Sequence, residues 1–149
     1  MREQFTQDLK TAMKAGEKRR VETIRMILAA LKERDIEARG SGKTVGDEDV
    51  LALLQKLVKS RQESAEIYQK ANRDDLASQE REEIGIIGAY LPKPMGEAEV
   101  GEAIRTAIGE VGATSMKDMG KVVAALRARY AGRMDFGKAS AAIKAALTG

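Results

Sequence analysis

Apolar residues recur three or four positions apart along most of the chain, a spacing typical of amphipathic helices. Seven runs of this pattern predict seven helices: Phe5 to Met13, Val21 to Leu31, Leu51 to Tyr68, Leu76 to Leu91, Val100 to Val111, Met119 to Tyr130 and Ala139 to Leu147. No segment alternates polar and apolar residues between turn signals in the manner of a strand. The sequence therefore predicts an all-α protein.

A proline-containing segment divides the series of helices. Both prolines of the chain lie in the stretch LPKPMG, and a residue before proline is disfavoured in a helix. We therefore predict a hinge at residues 92–96. It would separate an N-terminal four-helix subdomain, residues 1–91, from a C-terminal three-helix subdomain, residues 97–149.

Helix starts are predicted from side chains that cap free backbone N–H groups. Thr44 with Asp47, and Asn72 with Asp75, have the spacing of capping residues for the third and fourth helices. Acidic residues in the first turn of a helix offset the positive end of its dipole. The clusters at 47–49 and 74–75 are thus explained as structural, and we assign no catalytic residue to them.

Composition excludes several kinds of site. The chain has no Cys and no His, so it lacks thiolate nucleophiles, imidazole bases, disulfides and the usual zinc ligands. Aromatic residues make up 3% of the chain, too few to suggest a platform for stacking bases. We expect no metal site and no cofactor, and we expect any nucleic-acid contact to be electrostatic.

Motifs for nucleotide binding and export are also absent. The run Gly42-Lys43-Thr44 resembles the end of a phosphate-binding loop, but Glu37 occupies the position of the required glycine and no strand precedes it. This run is more simply a turn after the second helix. The N-terminal residues are charged and no apolar run approaches a membrane span. We therefore expect a cytoplasmic protein without a membrane role.

Arg61 lies on the apolar stripe of the third helix. If the third and fourth helices form an antiparallel hairpin centred near Asn72, position 61 lies opposite Glu83. The same register pairs apolar residues with each other. We predict a structural ion pair, which fixes the register of the hairpin more than it adds stability.

Charge is unevenly distributed, although the chain as a whole carries only +3. Residues 117–144 contain seven basic and two acidic residues, a net charge of +5, and residues 1–34 carry +4. Basic surfaces attract phosphate backbones through counterion release. Lysine and arginine that merely solvate short helices are the alternative, and the charges alone do not decide between the two interpretations.

Three segments carry a resemblance to a known family: TSMKDMGKVV at 114–123, YLPKP at 90–94 and IRMILAALK at 24–32. On these segments the chain resembles the YqeY family, whose fold is shared with the tail domain of the GatB component of aspartyl/glutamyl-tRNA amidotransferase. The resemblance implies two helical subdomains, in a module that holds tRNA beside a catalytic subunit and performs no chemistry itself. An amidotransferase label, that of a carbon–nitrogen ligase with glutamine as amido donor, would come by homology to the tail domain only.

Two functional hypotheses follow. The first is a tRNA-binding or tRNA-associated accessory module, whose phosphate contacts are predicted to be Lys117, Lys121, Arg127, Arg129, Arg133 and Lys138. Its partners would be tRNA and tRNA-charging or amidotransferase proteins. The second is a protein-interaction adaptor without RNA binding, whose docking surface is the four-helix part. On the first hypothesis, charge reversal at the three arginines is expected to weaken tRNA binding and to leave the melting temperature close to unchanged.

Overall fold

The computed structural model describes residues 1–148, which contain seven α-helices and no strand. The helices are α1 (Arg2–Ala15), α2 (Lys18–Gly40), α3 (Asp47–Lys70), α4 (Asp74–Gly88), α5 (Glu97–Val111), α6 (Met119–Tyr130) and α7 (Phe136–Thr148). A 3₁₀ turn, Met116–Asp118, immediately precedes α6. The prediction of an all-α protein is confirmed.

The chain divides into two compact units, Met1–Leu91 and the part from Pro92 onward. Each unit has its own apolar core, because each group of amphipathic helices turns its apolar stripes inward. The buried residues of the first core are Phe5, Ile24, Ile27, Leu31, Val50, Leu53, Leu54 and Ile87. Those of the second are Ala103, Ile104, Ala107, Val122, Leu126, Met134, Ala139 and Ile143.

The start of α3 differs from the predicted capping pattern. Gly46, not Thr44, is the residue that caps the helix, and its backbone N–H donates to the Asp49 carboxylate at 3.0 Å. The prediction of a cap at Thr44 with Asp47 is wrong. Its physical basis holds, because an acidic side chain in the first turn still reaches back to the chain that enters the helix.

The start of α4 also differs. Arg73 precedes the first helical residue, and its guanidinium makes two contacts of 3.2 Å with the Asp75 carboxylate. Asn72 instead takes a left-handed conformation, with φ 59°, in the turn between α3 and α4. Asparagine tolerates this region better than most residues, so the tight turn uses Asn72 for its backbone and not as a cap.

The predicted ion pair across the α3–α4 hairpin is confirmed. Arg61 Nε donates to Glu83 Oε2 at 2.9 Å, and each side chain is only 17% exposed. Arg61 Nη1 also donates to the carbonyl of Leu57 at 3.2 Å. A second guanidinium, that of Arg19 at the start of α2, lies 3.8 Å from Glu83 Oε1. Glu83 therefore balances two cations at the base of the hairpin.

Tyr90 fastens the end of the N-terminal unit to α1. Its ring meets the ring of Phe5 edge-on, with centroids 4.7 Å apart. Its hydroxyl donates to Asp8 Oδ2 at 2.5 Å, and the Gln4 amide donates to Oδ1 of the same carboxylate at 2.8 Å. Burial first, and the hydrogen bond to Asp8 second, raise the pKa of Tyr90 to about 12.

A Tyr90→Phe substitution is expected to remove a pH-dependent part of the stability of this unit. Because the folded-state pKa of Tyr90 is raised, its contribution is fully present below the usual tyrosine pKa and is lost as the pH rises through about 12. We therefore expect wild type to exceed Tyr90→Phe in stability by about 1 kcal/mol at neutral pH. Denaturant unfolding of both proteins as a function of pH measures this gap, which should close above pH 10. A constant gap would show that the hydroxyl is not held by Asp8.

Candidate nucleic-acid interface

The six predicted phosphate contacts all lie in the C-terminal unit, but the structure gives them different surroundings. One is in the 3₁₀ turn, three are in α6, one is in the α6–α7 connection and one is in the first turn of α7. Three lysines and three arginines make up the set, and the two residue types differ in how far intramolecular contacts already engage them.

The lysines are the accessible cations. Lys117, Lys121 and Lys138 are all exposed, and within residues 1–148 none of the three forms an ion pair. Lys121 is near enough to Asp118 to contribute to lowering the pKa of that carboxyl, although backbone N–H groups lower it more. An exposed ammonium without a partner keeps its charge available to an approaching phosphate.

Arg129 is an ion-pair partner inside the unit. Its Nη2 donates to Glu110 Oε2 on α5, and the hydrogen bond to Glu110 raises the pKa of the guanidinium. Both side chains are about half exposed, so the pair is accessible to solvent. A phosphate that approaches Arg129 must compete with the Glu110 carboxylate, and this reduces its expected contribution to binding.

Arg133 has a structural role. Its Nε donates to the carbonyl of Lys93 at 3.0 Å, and its Nη2 lies 3.5 Å from Glu99 Oε2. The carbonyl of Arg133 in turn accepts the N–H of Met95 at 3.0 Å. Arg133 therefore holds residues 93–95 of the predicted hinge against the C-terminal unit, a role that the charge pattern did not reveal.

We expect Arg133→Ala to destabilise the C-terminal unit by about 1 kcal/mol, because it removes the side-chain hydrogen bond to Lys93. This revises the expectation that charge reversal at all three arginines leaves the melting temperature unchanged. Hydrogen exchange of the Met95 amide, measured beside the melting temperature, checks the effect. The matched control is Arg127→Ala, because the Arg127 side chain contacts the Phe136 ring and not residues 93–95. Equal exchange at Met95 in both variants would argue against the structural role.

Arg127 and Arg129 do not belong to one patch. Counting 100° per residue, they lie about 160° apart around the axis of α6. The buried residues Val122 and Leu126 lie between them on that side of the helix. The Arg127 guanidinium lies 5.5 Å from the centroid of the Phe136 ring, a cation–π distance. Arg127 is therefore directed toward the start of α7, where Lys138 lies.

Two aspartates of this unit accept hydrogen bonds from backbone N–H groups, one in the loop before α6 and one at the start of α7. Asp118 Oδ2 accepts the N–H of Thr114 at 3.0 Å, and this interaction holds the pKa of Asp118 below its usual range. Asp135 Oδ1 caps α7 by accepting the N–H groups of Gly137 at 2.9 Å and Lys138 at 3.2 Å. The start of α7 is thus capped internally, whereas α6 has no side-chain cap, and the exposed lysine side chains are cations of this region without ion-pair partners among residues 1–148.

Other kinds of site find no support in the described part of the chain. Among residues 1–148 no three Asp or Glu side chains group closely enough to hold a metal ion. None of the helices there is both long and apolar enough to cross a membrane.

Taken together, the helices define an all-helical protein with two separately cored units, the second of which carries exposed lysines without ion-pair partners among residues 1–148. The chain belongs to the YqeY family: the family model described as Yqey-like protein matches residues 2–147. The family resemblance found in the sequence is therefore confirmed over nearly the whole chain.

Curated relatives of the chain carry the name altered inheritance of mitochondria protein 41, mitochondrial. The protein of Lachancea thermotolerans is 37% identical over 70% of this chain and 56% of its own length. That of Pyrenophora tritici-repentis is 31% identical over 82% of this chain and 68% of its own length. That of Vanderwaltozyma polyspora is 39% identical over 56% of this chain and 44% of its own length. The matches thus span from under half to about two thirds of these relatives.

The prediction of a cytoplasmic protein is wrong by this comparison, because the names of the relatives assign them to mitochondria. The prediction rested on the lack of an apolar run, which bears on secretory signals and membrane spans. Segments that direct import into mitochondria are amphipathic and rich in arginine, and they contain no such run. The pattern of apolar residues therefore had no power to separate these compartments.

Proposed function

We propose that this protein is a tRNA-associated accessory module that binds the phosphate backbone through its C-terminal unit. The observation that carries the proposal is the set of three exposed lysines, Lys117, Lys121 and Lys138, which no carboxylate of the described chain neutralises by an ion pair. Arg127 adds a fourth exposed cation beside the start of α7. The resemblance to the amidotransferase tail domain supports tRNA as the nucleic acid.

This chemistry predicts binding without sequence readout. Lysine contacts a phosphate as a point charge and carries no information about the base, and residues 117–144 contain only two aromatic side chains, Tyr130 and Phe136. Tyr130 is half-buried and packs against the core, and Phe136 is half-buried beneath Arg127. We therefore expect unrelated tRNAs to bind with similar affinity.

Fluorescence anisotropy with labelled bulk tRNA tests the proposal. Binding should be measurable at low ionic strength, should weaken steadily as salt is added, and should be competed equally by two unrelated tRNAs. If the protein shows no salt-dependent binding to bulk tRNA at low ionic strength, the proposal fails. The adaptor hypothesis would then take its place, since an apolar docking surface is nearly indifferent to salt.

A further inference from the structure

The outer half of the α3–α4 hairpin receives little support from the core of its own unit. The buried core and the side chains packed against it include α3 residues only as far as Val58. Beyond that point, the buried residues of the two helices before Ile87 are the small side chains Ala65 and Ala77. Larger apolar side chains here are only half-buried, among them Tyr68, Leu76 and Ile84. This half of the hairpin therefore gains less apolar stabilisation, the main source of helix stability in proteins, than the half beside the core.

One largely exposed face of α3 in this region carries an isoleucine at its centre. Ile67 is 66% exposed, and every other member of the face lies within about 60° of it around the helix axis. We call this surface the α3 outer face, and it comprises Ser60, Glu63, Ser64, Ile67, Lys70 and Ala71. The opposite side of α3 carries Arg61 and Ala65, which face α4.

The spacing along the α3 outer face is that of a helix–helix seam. Ser60, Ser64, Ile67 and Ala71 follow one another at intervals of four, three and four residues, the alternation found at the a and d positions of a heptad. Three of the four are small, so a second helix is able to approach closely around Ile67. Glu63 and Lys70 flank the seam on the same side, seven residues apart and opposite in charge.

We propose that the α3 outer face pairs with the same face of a second copy of this chain, with the two α3 helices antiparallel. A two-fold axis through Ile67 sets Ile67 against its own copy and brings Glu63 of each chain beside Lys70 of the other. The face is therefore complementary to itself in charge, and the two Ile67 side chains form its apolar centre, as a self-complementary two-fold interface requires. Charges at these flanking positions are the ones that select partner and orientation in paired helices.

The pairing is weak because the face is short. From residue 60 to residue 71 the helix rises about 17 Å, so the buried area falls below the roughly 800 Å² per partner of a standard interface. The dimer therefore forms in a concentration-dependent equilibrium. This inference concerns the N-terminal unit and stands independently of tRNA binding by the C-terminal unit.

Sedimentation equilibrium of the full chain over a concentration series up to the millimolar range tests the proposal. The weight-average mass of wild type should rise from the 16.2 kDa of one chain toward twice that value. Ile67→Asp should keep the protein monomeric throughout. Because Ile67 is mostly exposed, the variant should fold, and circular dichroism verifies this.

Exchanging the charges of Glu63 and Lys70 tests the proposed antiparallel pairing itself. Glu63→Lys alone should weaken association by placing like charges together, and adding Lys70→Glu to it should restore association. The matched control is Glu66→Lys, an exposed position on α3 outside the outer face, which should associate like wild type. A wild type that remains monomeric, or a dimer that Ile67→Asp leaves intact, would overturn the proposal.

Discussion

Replacing Glu83 by alanine is expected to lower the free energy of unfolding by about 2–3 kcal/mol, the largest stability effect we expect from a surface or near-surface charge in this protein. The reason is that one carboxylate serves two guanidinium groups, those of Arg61 and Arg19. Both Arg61 and Glu83 are only 17% exposed, so water replaces the lost partner poorly. Denaturant unfolding monitored by circular dichroism measures the change.

The control for this prediction removes Arg61 and Glu83 together and leaves Arg19 in place. Arg61→Met with Glu83→Leu should lose less stability than Glu83→Ala, because apolar residues of similar size avoid the desolvation cost of an ion pair. Arg19, which also loses Glu83, keeps its contacts with Glu22 and Glu82. Such a smaller loss would show that the pair adds little net stability, as expected of an ion pair whose desolvation cost offsets its attraction. If Glu83→Ala unfolds like wild type, the ion pair does not stabilise the hairpin and the prediction is contradicted.

Reversing the charge of three lysines is expected to have the largest effect on function. Lys117→Glu, Lys121→Glu and Lys138→Glu together should weaken binding to bulk tRNA by about 10- to 100-fold at low salt, because up to three phosphate contacts are lost and repulsion is added. All three side chains are exposed and lack ion-pair partners within residues 1–148, so circular dichroism and the melting temperature should change little. Anisotropy titrations give the affinities.

A matched control separates the effect of losing these three lysines from the effect of changing the net charge of the protein. Lys10, Lys14 and Lys18 are also exposed and belong to the N-terminal unit, and their reversal changes the net charge of the protein by the same amount. This control should retain most of the affinity. An equal loss in both triple variants would mean that tRNA responds to the overall charge and not to the C-terminal surface.

The helices and the hairpin pair were predictable because they depend on short-range patterns. Spacing of apolar residues gives the helices, and a turn centred near Asn72 places Arg61 opposite Glu83 by symmetry alone. The exact caps were less predictable. Whether Thr44 or Gly46 is the N-cap of α3 depends on backbone angles that neither residue type fixes.

The charge pattern could not show which basic side chains already have partners within the protein. Arg129 meets Glu110 across 19 positions of sequence, and Arg133 meets the Lys93 carbonyl across 40. Tyr90 and Asp8 are 82 positions apart. No local pattern reports such contacts, because they arise only when helices pack. They are what distinguishes the available lysines from arginines that already have partners.

The dependence of tRNA affinity on salt tests the central claim most directly. Each neutralised phosphate contributes about 0.7 to 0.9 to the slope of log affinity against log salt, so loss of three lysine contacts should make the slope of the Lys117, Lys121 and Lys138 variant shallower by about 2 to 3. The variant at Lys10, Lys14 and Lys18 should keep the wild-type slope. If all three proteins share one slope, these lysines do not contact the phosphate backbone and the account of the C-terminal unit is contradicted.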